Sequence, residues 1–267
     1  MQSFGSVFTL DMSSPRLRII ADVTNPKAVE LVKKFPKFAS KQPNMFLVIG
    51  GDGFMLDVMH KYWQKGLPFF GINAGHRGFL LNDPKTVANG IPKELKIYNL
   101  PMLDVEILLA NGKIKRTVAF NDVWVERAKS QAAWIEVKVN GVVRLPKLVA
   151  DSVLLATATG STAYARAIGA WPLPLDAQSL VLVGSGVCDP IEFRPCYIPI
   201  WSNVEFKTLD PSKRPLIGVV DGHRVGRIVS MRATVSKTSS VQLANVGNYG
   251  LPEKLLGIQF PPQIRTR

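Results

Sequence analysis

The sequence predicts an α/β Rossmann-like domain followed by an all-β, β-sandwich-like domain. Three observations carry that prediction. β-branched or wholly apolar runs alternate with helix-type patterns over the first third, and Asn-Gly hairpin signals recur after about residue 99. The composition, 46% apolar and 20% charged over 267 residues, is enough to fill a proper core in each of two domains.

The elements follow in order. Arg16–Val23 is a β-branched strand run, and Asn25-Pro26 is a helix entry with proline at the first helical position. The helix expected over Ala28–Phe35 carries Val29, Val32 and Phe35. Met45–Ile49 is wholly apolar, the pattern of a strand covered on both faces. After Gly50-Gly51-Asp52-Gly53, residues 54–64 place Met55, Met59 and Tyr62, or Leu56, Met59 and Trp63, on one helical face. Leu67–Ile72 is the third strand. Strand, helix, strand, helix, strand implies a parallel layer. Beyond it, Val105–Ala110 runs through Asn111-Gly112 to Lys113–Val118, and Trp134–Val139 runs through Asn140-Gly141 to Val142–Leu145. Both are read as hairpins whose two turn residues take positive φ. Further strand runs occur at 152–156, 180–183, 216–220 and 228–235. The expected division is 1–98 for the first domain and 99–249 for the second. The segment 250–267 returns to the first, because the tail 255–262 is too short to fold alone.

Several function classes are excluded. The 21 Gly and 19 Pro have no period, which excludes collagen and low-complexity repeats. No run approaches the ~20 consecutive apolar residues that span a bilayer, and Met1–Asp11 lacks the basic and apolar regions of a secretory signal. Cys188 and Cys196 fit neither a disulfide framework nor a zinc knuckle, so the expectation is a reduced, cytoplasmic protein with no membrane partner. The net charge of +13 favours polyanionic partners. Its densest spots, Lys33-Lys34, Lys113/Lys115/Arg116 and Arg224/Arg227, form no long basic block. With no nucleic-acid-binding motif beside them, the alternatives are a solvated basic surface or the focusing of a phosphate-rich small molecule, with no nucleic acid as partner.

Two stretches carry chemistry. Gly50-Gly51-Asp52-Gly53 lies between an apolar strand and an amphipathic helix, where a turn exposes backbone N–H groups and a helix N-terminus adds partial positive charge. Glycine here permits close backbone approach and positive φ. A carboxylate among phosphate-cradling amides needs another task, such as accepting a hydroxyl proton or holding a metal; the plain alternative is a helix N-cap. The second stretch, Asp151-Ser-Val-Leu-Leu-Ala-Thr-Ala-Thr-Gly-Ser-Thr-Ala-Tyr164, is a strand followed by a dense hydroxyl and glycine turn. Thr159, Ser161 and Thr162 offer donors and acceptors suited to a base edge or sugar, and Tyr164 a stacking face. Asn121-Asp122 stands at a strand end, where a simple turn is the alternative. His60, His76 and His223 are isolated, so no protein metal cage is expected.

Together and in this order, these stretches resemble the NAD kinase family: the Gly-Gly-Asp-Gly turn, then Asn73-Ala-Gly75-His-Arg-Gly78-Phe79-Leu80, then Asn121-Asp122, then Asp151 and the Thr159–Tyr164 run. The glycine turn alone is shared with lipid kinases and phosphofructokinase-like enzymes; Thr159–Tyr164 separates the NAD kinases from them. The Phe54-Met55-Leu56 continuation is similar to the alphaproteobacterial branch. The resemblance implies transfer of the terminal phosphoryl of ATP, or of polyphosphate, to the adenosine-ribose 2′-hydroxyl of NAD. Mg²⁺ or another divalent cation would be carried on the nucleotide phosphates. It further implies Asp52 as proton acceptor, Gly50, Gly51 and Gly53 around phosphates, Asn121 and Asp122 holding NAD, and Asp151 on ribose hydroxyls. Thr159, Thr162, Ala163, Tyr164 and Ala167 would line the nucleotide pocket, in a homodimer or homotetramer. The chain departs from the family pattern at Phe54, Ala158, the Ala150 and Ser152 flanks of Asp151, and Ala170-Trp171, which bears on donor preference and rate. The other readings are a lipid or sugar kinase sharing the glycine turn, and a non-catalytic NAD(P)-binding sensor.

Overall fold

The computed structural model describes residues 6–35, 38–76, 78–247 and 250–260, and the chain divides into two units. One comprises residues within 3–100 and 240–267, the other those within 101–239.

In the first unit, β1 (Val7–Asp11) precedes the strand–helix alternation, which runs β2 (Leu17–Ala21), α1 (Pro26–Val32), β3 (Met45–Gly50), α2 (Asp52–Tyr62) and β4 (Phe69–Asn73). Helix α1 starts before the expected Ala28 because Asn25 caps it, accepting the N–H groups of Lys27 and Ala28 beside Pro26. β3 pairs in parallel with β2 on one side and β4 on the other, and all six of its residues are buried, as its unbroken apolar run requires. This register brings Gly50 opposite Asn73, so the ends of β3 and β4 open side by side. β5 (Glu94–Leu109) pairs antiparallel with β1 and carries the chain out of this unit after Leu100.

The second unit is antiparallel: β6 (Ile114–Ala119), β7 (Asp122–Arg127), β8 (Ala133–Val139), β9 (Val142–Ala150), β10 (Ser152–Ala156), a short helix α3 (Tyr164–Ala167), β11 (Ser179–Ser185), β12 (Cys196–Pro199), β13 (Asn203–Thr208), β14 (Leu216–Val220) and β15 (His223–Asn245). Nine strands run in the order β12-β11-β10-β7-β14-β15-β13-β8-β9. The two ends of that run line one cavity of about 370 Å³, with Val137, Val139 and Leu145 from one end and Leu182, Cys196 and Ile198 from the other. The sheet therefore closes face to face upon itself. The Asn140-Gly141 turn has φ of 55° and 78°, the two-residue hairpin its sequence predicts. At Asn111-Gly112 the hairpin forms, with Leu108 opposite Ile114, but only Gly112 takes positive φ (79°), and its N–H bonds to Leu109 O in a longer loop. β15 is one strand of 23 residues. It returns the chain to the first unit at Ser240, earlier than the expected residue 250, and there Leu243 and Ala244 pair in parallel with β4. α4 (Leu251–Gln259) completes the first unit, anchored by buried Leu251 and Leu255. Of the expected tail, residues 261–267 lie outside the described residues.

Candidate active site

In the first unit the site is built at the open ends of β3 and β4. Asp52 is not an N-cap: Gly51 holds that position without a side-chain bond, and Asp52 is the first residue of α2. Its carboxylate accepts the Phe79 N–H at Oδ2 (2.8 Å) and the Leu80 N–H at Oδ1 (2.9 Å). The amides around this carboxylate thus come from the Asn-x-Gly-x-x-Gly-Phe-Leu segment. That segment is folded back on the glycine turn: Ala74 N–H bonds to Gly50 O, Gly75 N–H to Asn73 Oδ1, and a Cβ on Gly78 would stand 2.8 Å from Asn73 Cγ. Arg77 of the same segment lies outside the described residues. Burial raises the Asp52 carboxyl above its ordinary range, and the two N–H bonds and the Lys254 charge pull it back.

The glycines differ from the expectation. None of Gly50, Gly51 and Gly53 takes positive φ. A Cβ on Gly50 would strike the Phe54 ring at 2.6 Å, so this glycine accommodates its own helix. Around Gly51 and Gly53 a Cβ would meet nothing within 4 Å, which leaves the helix entrance open to a ligand. Beside it lies a cavity of about 520 Å³ lined by Lys27, Lys85 and Lys254 against one acid, Asp83, together with Asn73, Gly75, His76 and Gly78. Its lining is cationic, as a phosphate chain requires.

In the second unit β7 and β10 lie side by side, with Asp122 opposite Ala156. The turn after β10 folds onto the start of β7. Thr157 Oγ1 donates to Phe120 O (2.8 Å) and accepts the Gly160 N–H (3.2 Å), and the Thr157 N–H bonds to Asn121 O. From the other side Asp221 accepts three successive backbone N–H groups, of Phe120 (2.7 Å), Asn121 (2.8 Å) and Asp122 (3.0 Å). Asn121, Asp122 and Thr159 are buried polar residues, and Asn121 Oδ1 and Thr159 Oγ1 have no hydrogen-bond partner. Such groups cost about 1–3 kcal/mol each until something satisfies them. Burial, then the nearby charge of Asp221, pushes the Asp122 carboxyl up to about 8.

That shift has a sign. Folding retains a proton on Asp122 that the unfolded chain releases near pH 4, so the folded state is relatively less stable at each step from there to about pH 8. Asp122→Asn is therefore expected to raise Tm by a few degrees at pH 8 and by almost nothing at pH 4, measured by differential scanning calorimetry.

The remaining predicted residues are distributed unevenly. Thr162 and Ser161 do not cap a helix; their hydroxyls donate to Thr159 O and Ala158 O. Ala163, Tyr164 and Ala167 are exposed on and just before α3, and the Tyr164 ring lies 5.1 Å from Trp124, tilted by 49°. Asp151 stands apart from this cluster. It sits at the opposite end of the β7–β10 pair from Asp122, about 16 Å along the strands at their usual rise. There it is ion-paired to Arg127 at 2.8 Å and faces Gly186. The Trp171 ring is 74% exposed on the surface. Thr157, Asp221 and Lys254 were not singled out from the sequence. Asp221-Gly222 after an apolar strand is a hairpin signal that could have found the second, and both residues take positive φ, 45° and 82°.

Among the described residues no three His, Cys, Asp or Glu side chains gather into a group able to hold a metal ion. At Asp52 one lone pair of each oxygen is already taken by an amide. The described residues do not build a cage for a divalent cation.

A carboxyl able to take a proton, at the unobstructed entrance of a helix and beside a cationic cavity, is the equipment of a phosphotransferase. Residues 10–92 match the model of the ATP-NAD kinase N-terminal domain. The NAD kinase of Zymomonas mobilis is 33% identical over 93% of this chain and 99% of its own length, and that of Rickettsia bellii 30% identical over 87% and 92%. Both sources are alphaproteobacteria. Among solved structures, yeast NADH kinase complexed with NADH superposes with a TM-score of 0.79 at 17% identity, covering 100% of this chain and 97% of that one. An NAD kinase from Archaeoglobus fulgidus in complex with ATP gives a TM-score of 0.68 at 18% identity, covering 91% and 98%. The chain belongs to the NAD kinase family, has that family's two-domain fold, and is an NAD kinase.

Proposed function

We propose that this chain makes NADP by transferring the terminal phosphoryl of ATP, or of polyphosphate, to the adenosine-ribose 2′-hydroxyl of NAD, with Asp52 as proton acceptor. The observation that carries the reading is the Asp52 carboxyl, raised by burial yet held in place by two backbone N–H bonds. A raised carboxyl is a stronger base than an ordinary one, and each oxygen keeps a lone pair for the substrate hydroxyl. Phosphoryl transfer asks the protein for position and charge neutralisation more than covalent help. The open faces of Gly51 and Gly53, and the Lys27 and Lys85 side of the adjoining cavity, suit the donor's phosphates. Mg²⁺ or another divalent cation would accompany those phosphates and screen their charge.

Asn121, Asp122 and Thr159 hold the dinucleotide, which takes up the unspent Asn121 Oδ1 and Thr159 Oγ1. Thr162, Ala163, Tyr164 and Ala167 line the rest of the pocket, and Asp151, apart from them and paired to Arg127, would meet ribose hydroxyls at the far end of an extended dinucleotide. Asn121→Ala is expected to weaken NAD binding about 10-fold by calorimetry, the worth of one buried hydrogen bond. Among the described residues no helix is long and apolar enough to cross a membrane, and both cysteines are free, which suits a cytoplasmic enzyme. Exposed Trp171, Ile191 and Trp201 on the second unit suit assembly into a homodimer or homotetramer.

The decisive experiment incubates the protein with NAD or NADH, crossed with ATP–Mg²⁺ or polyphosphate, and follows NADP or NADPH. NADP from NAD and ATP is the expected product. Binding of NAD without any product in the four mixtures would establish a sensor instead.

A further inference from the structure

The geometry points to Lys254, on the C-terminal helix α4, as a positioning residue for Asp52, acting through the single peptide group that joins Phe79 to Leu80. This rests on the reading of Asp52 as proton acceptor. The N–H of that peptide, on Leu80, donates to Asp52 Oδ1 at 2.9 Å, and its carbonyl, on Phe79, accepts from Lys254 Nζ at 3.0 Å. Lys254 Nζ also donates to Leu81 O. An ammonium, one amide and a carboxylate are thus joined in series, and hydrogen bonds in series polarise one another in a partly buried site. The Phe79 N–H to Oδ2 fixes the second carboxylate oxygen, so the rotation of the carboxyl is set by a turn that Lys254 grips from its other side.

Helix α4 is placed to do this. A Cβ on Gly250 would lie 2.6 Å from Tyr98 Oη, so glycine lets the helix start close against β5, while Leu251 and Leu255 are buried on either side of Lys254 in the sequence. Two of the three ammonium protons go to the carbonyls, which leaves one. Lys254 also lines the cationic cavity, so the rival role is direct contact with a donor phosphate.

The two roles separate in kinetics. Lys254→Met keeps the apolar stem and removes both bonds. Positioning predicts kcat lower by about 10-fold, the scale of a charge-assisted hydrogen bond, with KM for NAD and for ATP within about 2-fold. It predicts faster amide exchange in a peptide spanning 79–81, substantial recovery of kcat in Lys254→Arg, and no further loss when Lys254→Met is added to Asp52→Asn. A rise in KM for ATP at unchanged kcat, an equal loss of kcat in the Asp52→Asn background, or wild-type kcat in Lys254→Met would each overturn it. If Lys254→Met does not fold, Lys254→Leu, which likewise has no donor, carries the same comparison. Should Asp52→Asn alone retain wild-type kcat, the proton-acceptor reading fails. Unchanged exchange at 79–81 in Lys254→Met instead shows that Lys254 does not hold the turn.

Discussion

Replacing Asp52 by asparagine is expected to lower kcat by about 10²–10⁴-fold, the usual contribution of a positioned general base, while KM for NAD stays within a few-fold. The size of the effect follows from how the carboxyl is held. Oδ1 and Oδ2 each accept one backbone N–H, from Leu80 and Phe79, so rotation is fixed and the free lone pairs have a set direction. The Asn amide keeps one of these bonds through its oxygen. Its NH₂ cannot accept the other, so part of the loss is positional. A second signature separates proton transfer from position. Burial raises the Asp52 carboxyl, so the wild-type rate falls as pH drops through a value above the ordinary carboxylate range. The variant's residual rate should lack that acid limb, and a stopped or coupled NADP assay across pH checks both points. A limb that persists in Asp52→Asn would assign it to another group.

The parts of this site legible in the sequence were those made by local pattern. An apolar run ending in Gly-Gly-Asp-Gly marks where β3 turns into α2, because an all-buried strand must end before a polar helix start. Asn121-Asp122 and the Thr159–Tyr164 run are each visible, but the reason they lie together is not. That reason is carried by Thr157 and by Asp221, which lies 99 residues after Asp122 and reaches its N–H only because β7 and β14 pair. Lys254 was equally invisible: a single lysine in an apolar tail has no period, and its partners Phe79 and Leu81 are more than 170 residues away. Gly50 is a different case, because a Cβ there would strike the ring of Phe54 in the next turn of chain, a contact that turn chemistry does not reveal. Sequence separation hides the groups that hold a site rigid, whereas the groups that meet the ligand tend to sit in short motifs with recognisable turn chemistry.

Gly160→Ala is expected to be the most damaging change in the second unit. A Cβ there would stand 2.1 Å from Asn121 O, 2.5 Å from its carbonyl carbon and 2.8 Å from its Cα, all backbone atoms. A side chain could rotate away from such a clash; this strand end has little freedom to. Asn121 O already accepts the Thr157 N–H, and the Asn121 N–H is gripped by Asp221 Oδ1 at 2.8 Å. Relief requires the 157–162 turn to lift from the start of β7, which breaks the Thr157 Oγ1 bond to Phe120 O and the Thr157 N–H bond to Asn121 O. The stability loss should therefore reach or exceed the ~1–3 kcal/mol typical of overpacking, a fall in Tm of about 4–10 °C. NAD affinity should drop by more than 10-fold, because Thr159 and Asn121 no longer share one frame. The first unit offers an internal control: its backbone contacts at Asp52, Phe79 and Leu80 involve no residue of this turn. Hydrogen exchange should then quicken in peptides covering 119–123 and 157–163 and stay unchanged at 79–81. Wild-type Tm and NAD affinity in Gly160→Ala would mean that the close packing of this turn on Asn121 is not what shapes the dinucleotide pocket.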